Sequence, residues 1–500
     1  MGILDTIAEL TSMVQSQAPL RSRPLDLHRW ARYPELERCL SNLVDEIEAR
    51  EGRARARSKH VAQAMRDSVR CLVLDLYVTS CADPDSVLGV VLSKRRLNES
   101  SRYKPDFATY DAFMAAFGGL RDCGYINVIQ KGFIDRGTGE SRATRVRATA
   151  RLLSLLAAEA HLSPTRVAYR TGEGAPESVV LKDGGKHRIE YAETNRTVSM
   201  RFDVARINAH LQQHLIDIYL TDAEFTDLRR RRQVHDNDPN AEGRVSRAGV
   251  DLTAKRLVRI FNNGDWSQGG RFYGGWWQGI PRTERPYITI DGKHTVELDY
   301  SGMHPALLYA QAGVGLDGDP YDVGLPPSSR DIIKVAFNAL LNAKARPRAP
   351  SEFDEQEVGL SWSALLRRVE ERHAQIKHMF QTGYGLRLQN TDAEIANRVM
   401  LEMLDRGYVC LPVHDSFIVH HGLEDELERM MRRIFEDQVG AEIAVKAKLN
   451  LVKAQMAFGP TGMVDASAAL SDHLDGTSEY SGYVAREQEW LAGRWHTVRS

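Results

Sequence analysis

Cysteine is scarce in this 500-residue chain, and long apolar runs are missing altogether. The five cysteines, Cys39, Cys71, Cys81, Cys123 and Cys410, show neither a CxxC pair nor the Cys/His spacing of a zinc site. That excludes a sequence-encoded disulfide framework and points to a reducing compartment. No stretch approaches the roughly 18–20 apolar residues that span a bilayer, and residues 1–14 lack the basic start of a secretory signal. The expectation is a cytoplasmic protein with no membrane partner. The opening Met-Gly-Ile-Leu-Asp-Thr satisfies a loose myristoylation pattern, one too short to carry weight. An excess of charge of one sign is lacking as well: 66 Lys and Arg stand against 67 Asp and Glu, so any groove for a polyanion has to be local.

What is present is enough apolar sequence, 42%, for several packed domains, and the length sets an expectation of two to four. The N-terminal region, 1–165, is mainly helical in pattern. A basic run at Arg53, Arg55, Arg57 and Lys59 leads into an amphipathic stretch over 62–77. A helix over 110–122 stops at Cys123-Gly124, an alternating strand covers 125–133, a turn covers 135–140, and a second strand runs into Arg151. This order of helix, strand, turn and strand is similar to a winged helix-turn-helix unit. The hairpin tip, Arg136-Gly137-Thr138-Gly139 with Lys131, Arg142, Arg145 and Arg147 around it, suits phosphate contacts, and the helix before it would enter a major groove. Residues 166–250 read as a helical linker: a Gly-containing connection over 170–186, a helix over 204–221, an arginine block at 229–232 and a turn-rich loop over 235–243.

From about residue 251 motifs become dense. Residues 294–300 alternate as a strand, with Val296, Leu298 and Tyr300 on one face and Glu297 and Asp299 on the other, and Ser301 caps an apolar helix. Residues 408–420 read as a hairpin with His414-Asp415-Ser416 at its tip. Each segment alone reads equally as an ordinary turn. Together, two carboxylates on neighbouring strands are what a two-metal phosphoryl-transfer site needs, with Mg2+ ions about 3.5–4 Å apart. Between them a helix over 328–343 carries Arg330, Lys334, Asn338 and Asn342 at every fourth position. At about 1.5 Å per residue that polar stripe covers roughly 18 Å, the reach of a nucleoside triphosphate. Its cationic end would hold phosphates, and its asparagines would face sugar and base.

These motifs resemble those of family A DNA polymerases and of the related single-subunit, phage-type RNA polymerases. Val296 to Ser301 is similar to motif A, Arg330 and Lys334 to the Arg-x-x-x-Lys of motif B, and Val413-His-Asp-Ser to motif C. Gly270-Arg271 through Gln278-Gly-Ile-Pro281 resembles the segment before motif A, and Gln389-Asn-Thr391 the helix before motif C. The resemblance covers about residues 260–420. It implies an α+β fold: a polymerase palm over 251–462 with fingers reduced to little more than the motif B helix, preceded by the helical and winged-helix region and by a thumb-like 166–250, and followed by a tail, 463–500. It further implies Asp299 and Asp415 as catalytic metal ligands with Tyr300 beside them, and Mg2+ (two ions, Mn2+ substituting) as cofactor. Lys334 would protonate pyrophosphate; Arg330, Lys334, Asn338, Asn342, His304 and Tyr300 would line the nucleotide, and Arg271, Gln278, Gln389 and His414 the primer-template.

The chain also departs from the pattern. His304 stands where the DNA enzymes carry a Glu, Asn338 and Asn342 stand where motif B carries an aromatic and a Tyr, and Ser416 follows the motif C aspartate in the manner of the RNA enzymes. Only about 30 residues separate Asp299 from Arg330, which shortens the fingers. DNA synthesis is the first expectation. An RNA polymerase or primase starting without a primer is the alternative, and a catalytically silent DNA-binding replication or regulatory protein is a third. The partners expected are DNA and nucleoside triphosphates.

Overall fold

Short alternating and β-branched runs between glycines give seventeen strands, described in a computed structural model for residues 20–99, 101–134, 137–138, 140–172, 174–234, 249–448 and 478–497. The chain divides into two units: residues 1–176, 220–254 and 478–500 form the first, and residues 177–219 and 255–477 the second. These units cut across the expected boundaries. The region read as one helical linker is shared between them, because β9 (Val179–Leu181) pairs in parallel with β11 (Val258–Asn262), whereas the helix Asp222–Val234 belongs to the first unit.

In the first unit β1 (Ser22–Pro24), β3 (Val87–Val90), β7 (Thr144–Ala148) and β4 (Ile126–Gln130) form one sheet in that spatial order. Two small ladders, β2 (Arg29–Trp30) with β8 (Ala168–Tyr169) and β5 (Phe133–Ile134) with β6 (Ser141–Arg142), complete its strands. The helix Lys59–Ala82 is buried along most of its length, through Met65, Val69, Leu72, Val73 and Leu76 among others, and shares one core with the helices Pro34–Glu51 and Tyr110–Asp122. The hairpin strands are shorter than the sequence suggests. Arg151 lies not in a strand but in the helix Ala150–Ala158, whose start is capped by the Thr149 hydroxyl accepting from Leu152 N–H. At the hairpin tip Arg136 and Gly139 fall outside the described residues.

Three residues of the arginine block are engaged within their own unit: Arg229 donates to the Cys81 carbonyl, and Arg230 and Arg231 pair with Asp227 one helical turn back. The chain's last helix, Ser481–Thr497, also belongs to this unit, with Gly482 N–H donating to Asp222 at 3.0 Å.

In the second unit β10 (Ile216–Ile218), β13 (Ile288–Ile290), β14 (Lys293–Tyr300), β16 (Ser416–His420) and β15 (Leu411–Val413) lie side by side, with β17 (Val445–Lys448) also on β14. The stretch read as a helix over 204–221 is therefore the end of the helix Asn195–Gln212 followed by strand β10. A second sheet orders β12 (Asp265–Tyr273), β11 and β9. Because β14 is interior to its sheet, Glu297 is buried along with Val296, Leu298 and Tyr300, and the simple alternation fails there. The motif B helix, Arg330–Asn342, buries Ile333, Ala336, Phe337, Leu340 and Leu341 and turns the Arg330, Lys334, Asn338 and Asn342 stripe away from that core. No helix among the described residues is long and apolar enough to cross a membrane.

Candidate active site in the second unit

The two acids sit at strand ends. Asp299 is next to last in β14 and lies directly opposite Ser416 on β16, in a ladder whose facing Cα atoms are about 4.5–5.5 Å apart. Asp415 immediately precedes Ser416, in the two-residue turn His414-Asp415 closed by the Val413–Ser416 pair. His414 takes up the left-handed region at φ 60°, where glycine would be relaxed, so the turn that presents Asp415 is backbone-strained. Both carboxylates are half-buried. Beyond the end of β14 the helix Met303–Gln311 starts at Gly302, φ 68°; Ser301 does not cap it, and its N–H donates instead to Ala444 O.

Behind the acids, Ser416 Oγ donates to Glu297 Oε1 at 2.7 Å, and Arg285 neutralises the same buried carboxylate at 3.1 Å. Tyr300 faces inward: its ring is buried against Phe417 and Phe435, and its hydroxyl donates to Met431 O at 2.8 Å. The tyrosine side chain therefore does not line a nucleotide or a metal, contrary to the expectation, and only its backbone remains for such a role.

Beside Arg330 and Lys334 stands a residue that the motifs did not single out. Tyr321 is buried, and its ring lies 4.9 Å from the Arg330 guanidinium and 5.5 Å from the Lys334 ammonium. Burial pushes its phenol up to about 12; the Arg330 charge opposes this, and the charges of Asp415, Asp319 and Asp299 add to it. Arg330 and Lys334 thus share one tyrosine ring, and the charges of Asp299 and Asp415 are felt at its phenol. Arg330 forks onto Asp319 at 2.9 and 3.1 Å, a hydrogen bond that holds the guanidinium above its usual range. Asp319 is held below the carboxylate range: against burial, Arg330 and the Tyr321 N–H stabilise its anion. The loop carrying both residues is pinned by His373, whose Nε2–H donates to Pro320 O at 2.9 Å while Nδ1 accepts from Tyr309 OH at 3.1 Å. Burial drops the His373 pKa to about 4, which keeps it neutral.

On the other side Arg271 is held by Asp392, Nε to both carboxylate oxygens at 3.0 Å, with the Asp392 side chain only 1% exposed. Burial alone would depress Arg271; the hydrogen bond and charge of Asp392, and the charge of Asp415, more than compensate. His304 Nε2 lies 3.3 Å from Asp392 and 3.2 Å from an Arg271 nitrogen. His414 stands edge-on to Tyr273 at 6.1 Å, its pKa lowered by the surrounding protein and then by the Arg271 charge, even though its outer edge is exposed. Gln278 turns inward, donating to Phe272 O at 2.9 Å and Pro412 O at 3.1 Å, so it braces the strand before the His414 turn. Asn342 donates to Asn338 O on its own helix, and Gln389 is half-buried on the helix Gly385–Asp405.

Asp392, Tyr321, Asp319 and His373 are the residues that sequence reasoning missed. Only Asp392, a charge at an interior helix position beside Gln389-Asn-Thr391, carries a signal that can be read from the motifs.

No family model matches the chain, and no curated protein matches it. Among solved structures that match is the POL domain of Pol1 from M. smegmatis in complex with DNA primer-template and dNTP. It is 12% identical, over 83% of this chain and 68% of that one, at a TM-score of 0.29.

Proposed function

We propose that the second unit is a nucleotidyltransferase centre that extends a nucleic-acid 3' end, in the manner of family A DNA polymerases, with DNA as the product. The observation that carries this reading is the pairing of strand β14 with β16, which sets Asp299 opposite the residue that follows Asp415, together with Arg330 and Lys334 over the ring of Tyr321, whose phenol feels both acids. Two carboxylates on neighbouring strands, completed by substrate phosphates, are a donor set that Mg2+ accepts, since it binds through one or two carboxylates and seldom through an all-protein cage. Asp299 and Asp415 would hold the ions, which when bound would neutralise phosphate charge and favour the ionised primer hydroxyl.

The chain's own groups do the remaining work. Arg330 and Lys334 bind the triphosphate as fixed cations, Lys334 hands a proton to the departing pyrophosphate, and Arg271 and His414 border the primer side. Catalysis of this kind is positioning and charge neutralisation, so these residues dominate it. The first unit, whose strand order β3, β7, β4 and preceding helices are winged-helix-like, joins this reading as an accessory module. A second reading, ribonucleotide polymerisation without a primer, is favoured by His304: five residues after Asp299 the chain places an imidazole tied to Asp392 where the DNA enzymes carry a carboxylate.

The test is extension of a labelled primer-template, or synthesis on a bare single strand, by the full chain with Mg2+ and either deoxy- or ribonucleotides. Extension abolished by Asp299→Asn and by Asp415→Asn is expected. No product under any condition refutes the enzyme, and activity that survives both substitutions refutes the site. Product formed from ribonucleotides without primer selects the second reading.

A further inference from the structure

The sheet of the first unit buries Val146 and Ala148 of β7 in the core and places Arg145 and Arg147 on the opposite face. Across the ladder, Asn127 faces Arg147 and Gln130 faces Arg145 on β4, while on β3 Gly89, without a side chain, faces Arg145. A bulge at Ile129 breaks the register, and the hairpin then carries Lys131, Phe133 and Ile134 outward, the last two 43% and 69% exposed. The Arg142 guanidinium covers the Phe133 ring at 4.9 Å.

Among the described residues none of these cations meets a carboxylate. Arg142 donates to Lys131 O, Arg145 to Gln130 Oε1 and Arg147 to Asp85 O, and the Nε atoms of Arg142 and Arg147 are shut from water without a partner. Arg145 is depressed by burial and then by the Arg142 charge, the mark of like charges crowded together. Such a cluster is unfavourable until a polyanion neutralises it.

The neighbouring helix Tyr110–Asp122 has the opposite character. Its exposed charges are Asp111, Arg121 and Asp122, one cation against two acids, and Arg121 is tied to Asp122 at 2.8 Å. Tyr110, Met114, Ala115 and Gly118 make up the rest of its outer side. With its one arginine tied to an acid and an acidic balance overall, it offers few donors to base edges and no charge that tolerates phosphates, so it is not the helix for a major groove.

We propose that the hairpin and the outer sheet face bind a single nucleic-acid strand. Lys131, Arg142, Arg145 and Arg147 take its phosphates, and an unstacked base lies on Phe133. An exposed aromatic ring beside arginines that meet no carboxylate among the described residues is the combination that suits single strands, since every base offers a π-face for stacking. A duplex would offer phosphates but no free base.

The test is fluorescence anisotropy of the full chain with a short labelled single strand and with a blunt duplex of the same length, without Mg2+ or nucleotide, over a salt series. Arg142→Gln, Arg145→Gln and Arg147→Gln combined should reduce the log-affinity against log-salt slope by about 2, from about 0.7 per single-strand phosphate contact. Phe133→Ala should weaken single-strand binding by about five- to one-hundred-and-fiftyfold and leave the slope and the duplex affinity alone. An unchanged slope in the triple variant overturns the proposal, as does a Phe133→Ala effect equal on duplex and single strand. Phe133→Ala removes an exposed ring, so should the triple variant fail to fold, its result decides alone.

Discussion

Replacing Asp392 by Leu leaves the Arg271 guanidinium, 14% exposed, without its counter-charge. Removing one partner of a buried ion pair costs about 3–5 kcal/mol, because the other charge stays desolvated. For a folding unit of roughly 150–250 residues each kcal/mol moves Tm by about 2–4 °C, so Asp392→Leu should lower the transition of the second unit by on the order of 6–20 °C in scanning calorimetry. The double variant Arg271→Met/Asp392→Leu replaces the pair by apolar groups of similar length and should regain most of that loss, because a well-packed hydrophobic pair matches or exceeds a buried ion pair. Primer extension separates stability from function: the double variant should be folded yet inactive if Arg271 touches the primer-template. An Asp392→Leu protein within about 1 kcal/mol of the parent, or a double variant no more stable than the single, would refute the reasoning.

His373 gives a pH-dependent counterpart. Its pKa is about 4 when folded against about 6.5 unfolded, so between those values the unfolded chain binds the extra proton. The contribution is complete above pH 6.5 and is lost as pH falls towards 4. The second unit should lose about 3 kcal/mol over that window, and His373→Gln should flatten its calorimetric pH profile there; an unchanged profile would show that the imidazole is not the group responsible. Asp319→Ala frees Arg330 from a half-exposed pair worth at most about 1 kcal/mol, so the KM for the incoming nucleotide should fall by up to about fivefold, whereas a rise would make Asp319 a residue that positions Arg330. Gly119→Ala should destabilise the first unit by about 1–3 kcal/mol in chemical denaturation, because the new Cβ meets Ile47; a gain of about 1 kcal/mol, the ordinary result inside a helix, would show that the contact relaxes.

The sequence makes the local framework of the candidate site readable, because each motif couples a periodic pattern to a charged end. The strand over 293–300, the turn at 414–415 and the helix over 330–342 lie close to where their patterns place them. Tyr321 and Asp319 are illegible because they sit in a Gly-, Asp- and Pro-rich loop without periodicity, and their importance comes from Arg330, nine residues beyond the tyrosine and eleven beyond the aspartate. Asp392 is marked by its place beside Gln389-Asn-Thr391, but its role is not legible: its partner Arg271 is 121 positions away, a pairing that only the packed helix and strand disclose. The inward turn of Tyr300 is readable from alternation, which sets it with Val296 and Leu298, whereas the burial of Glu297 on the other face follows from the interior position of the strand, which alternation does not report. The arginines near the hairpin in sequence lie on the strand face, while the outer charges of the helix before it are Asp111, Arg121 and Asp122, a division that the order of elements does not report.

The division of the chain into units has a practical result for anyone handling the protein in pieces. The backbone crosses between units after residues 176, 219, 254 and 477, so each unit is assembled from separated stretches. No single cut yields either one intact: a fragment ending near residue 250 keeps the stretch 177–219 without the sheet it belongs to, and one starting there lacks it. Trimming the last helix would strip Asp222 of a backbone donor from the far end of the chain. Limited proteolysis should accordingly nick the protein into fragments that stay associated until denatured, and a separately folding catalytic piece would need residues 177–219 joined to 255–477 by a new linker.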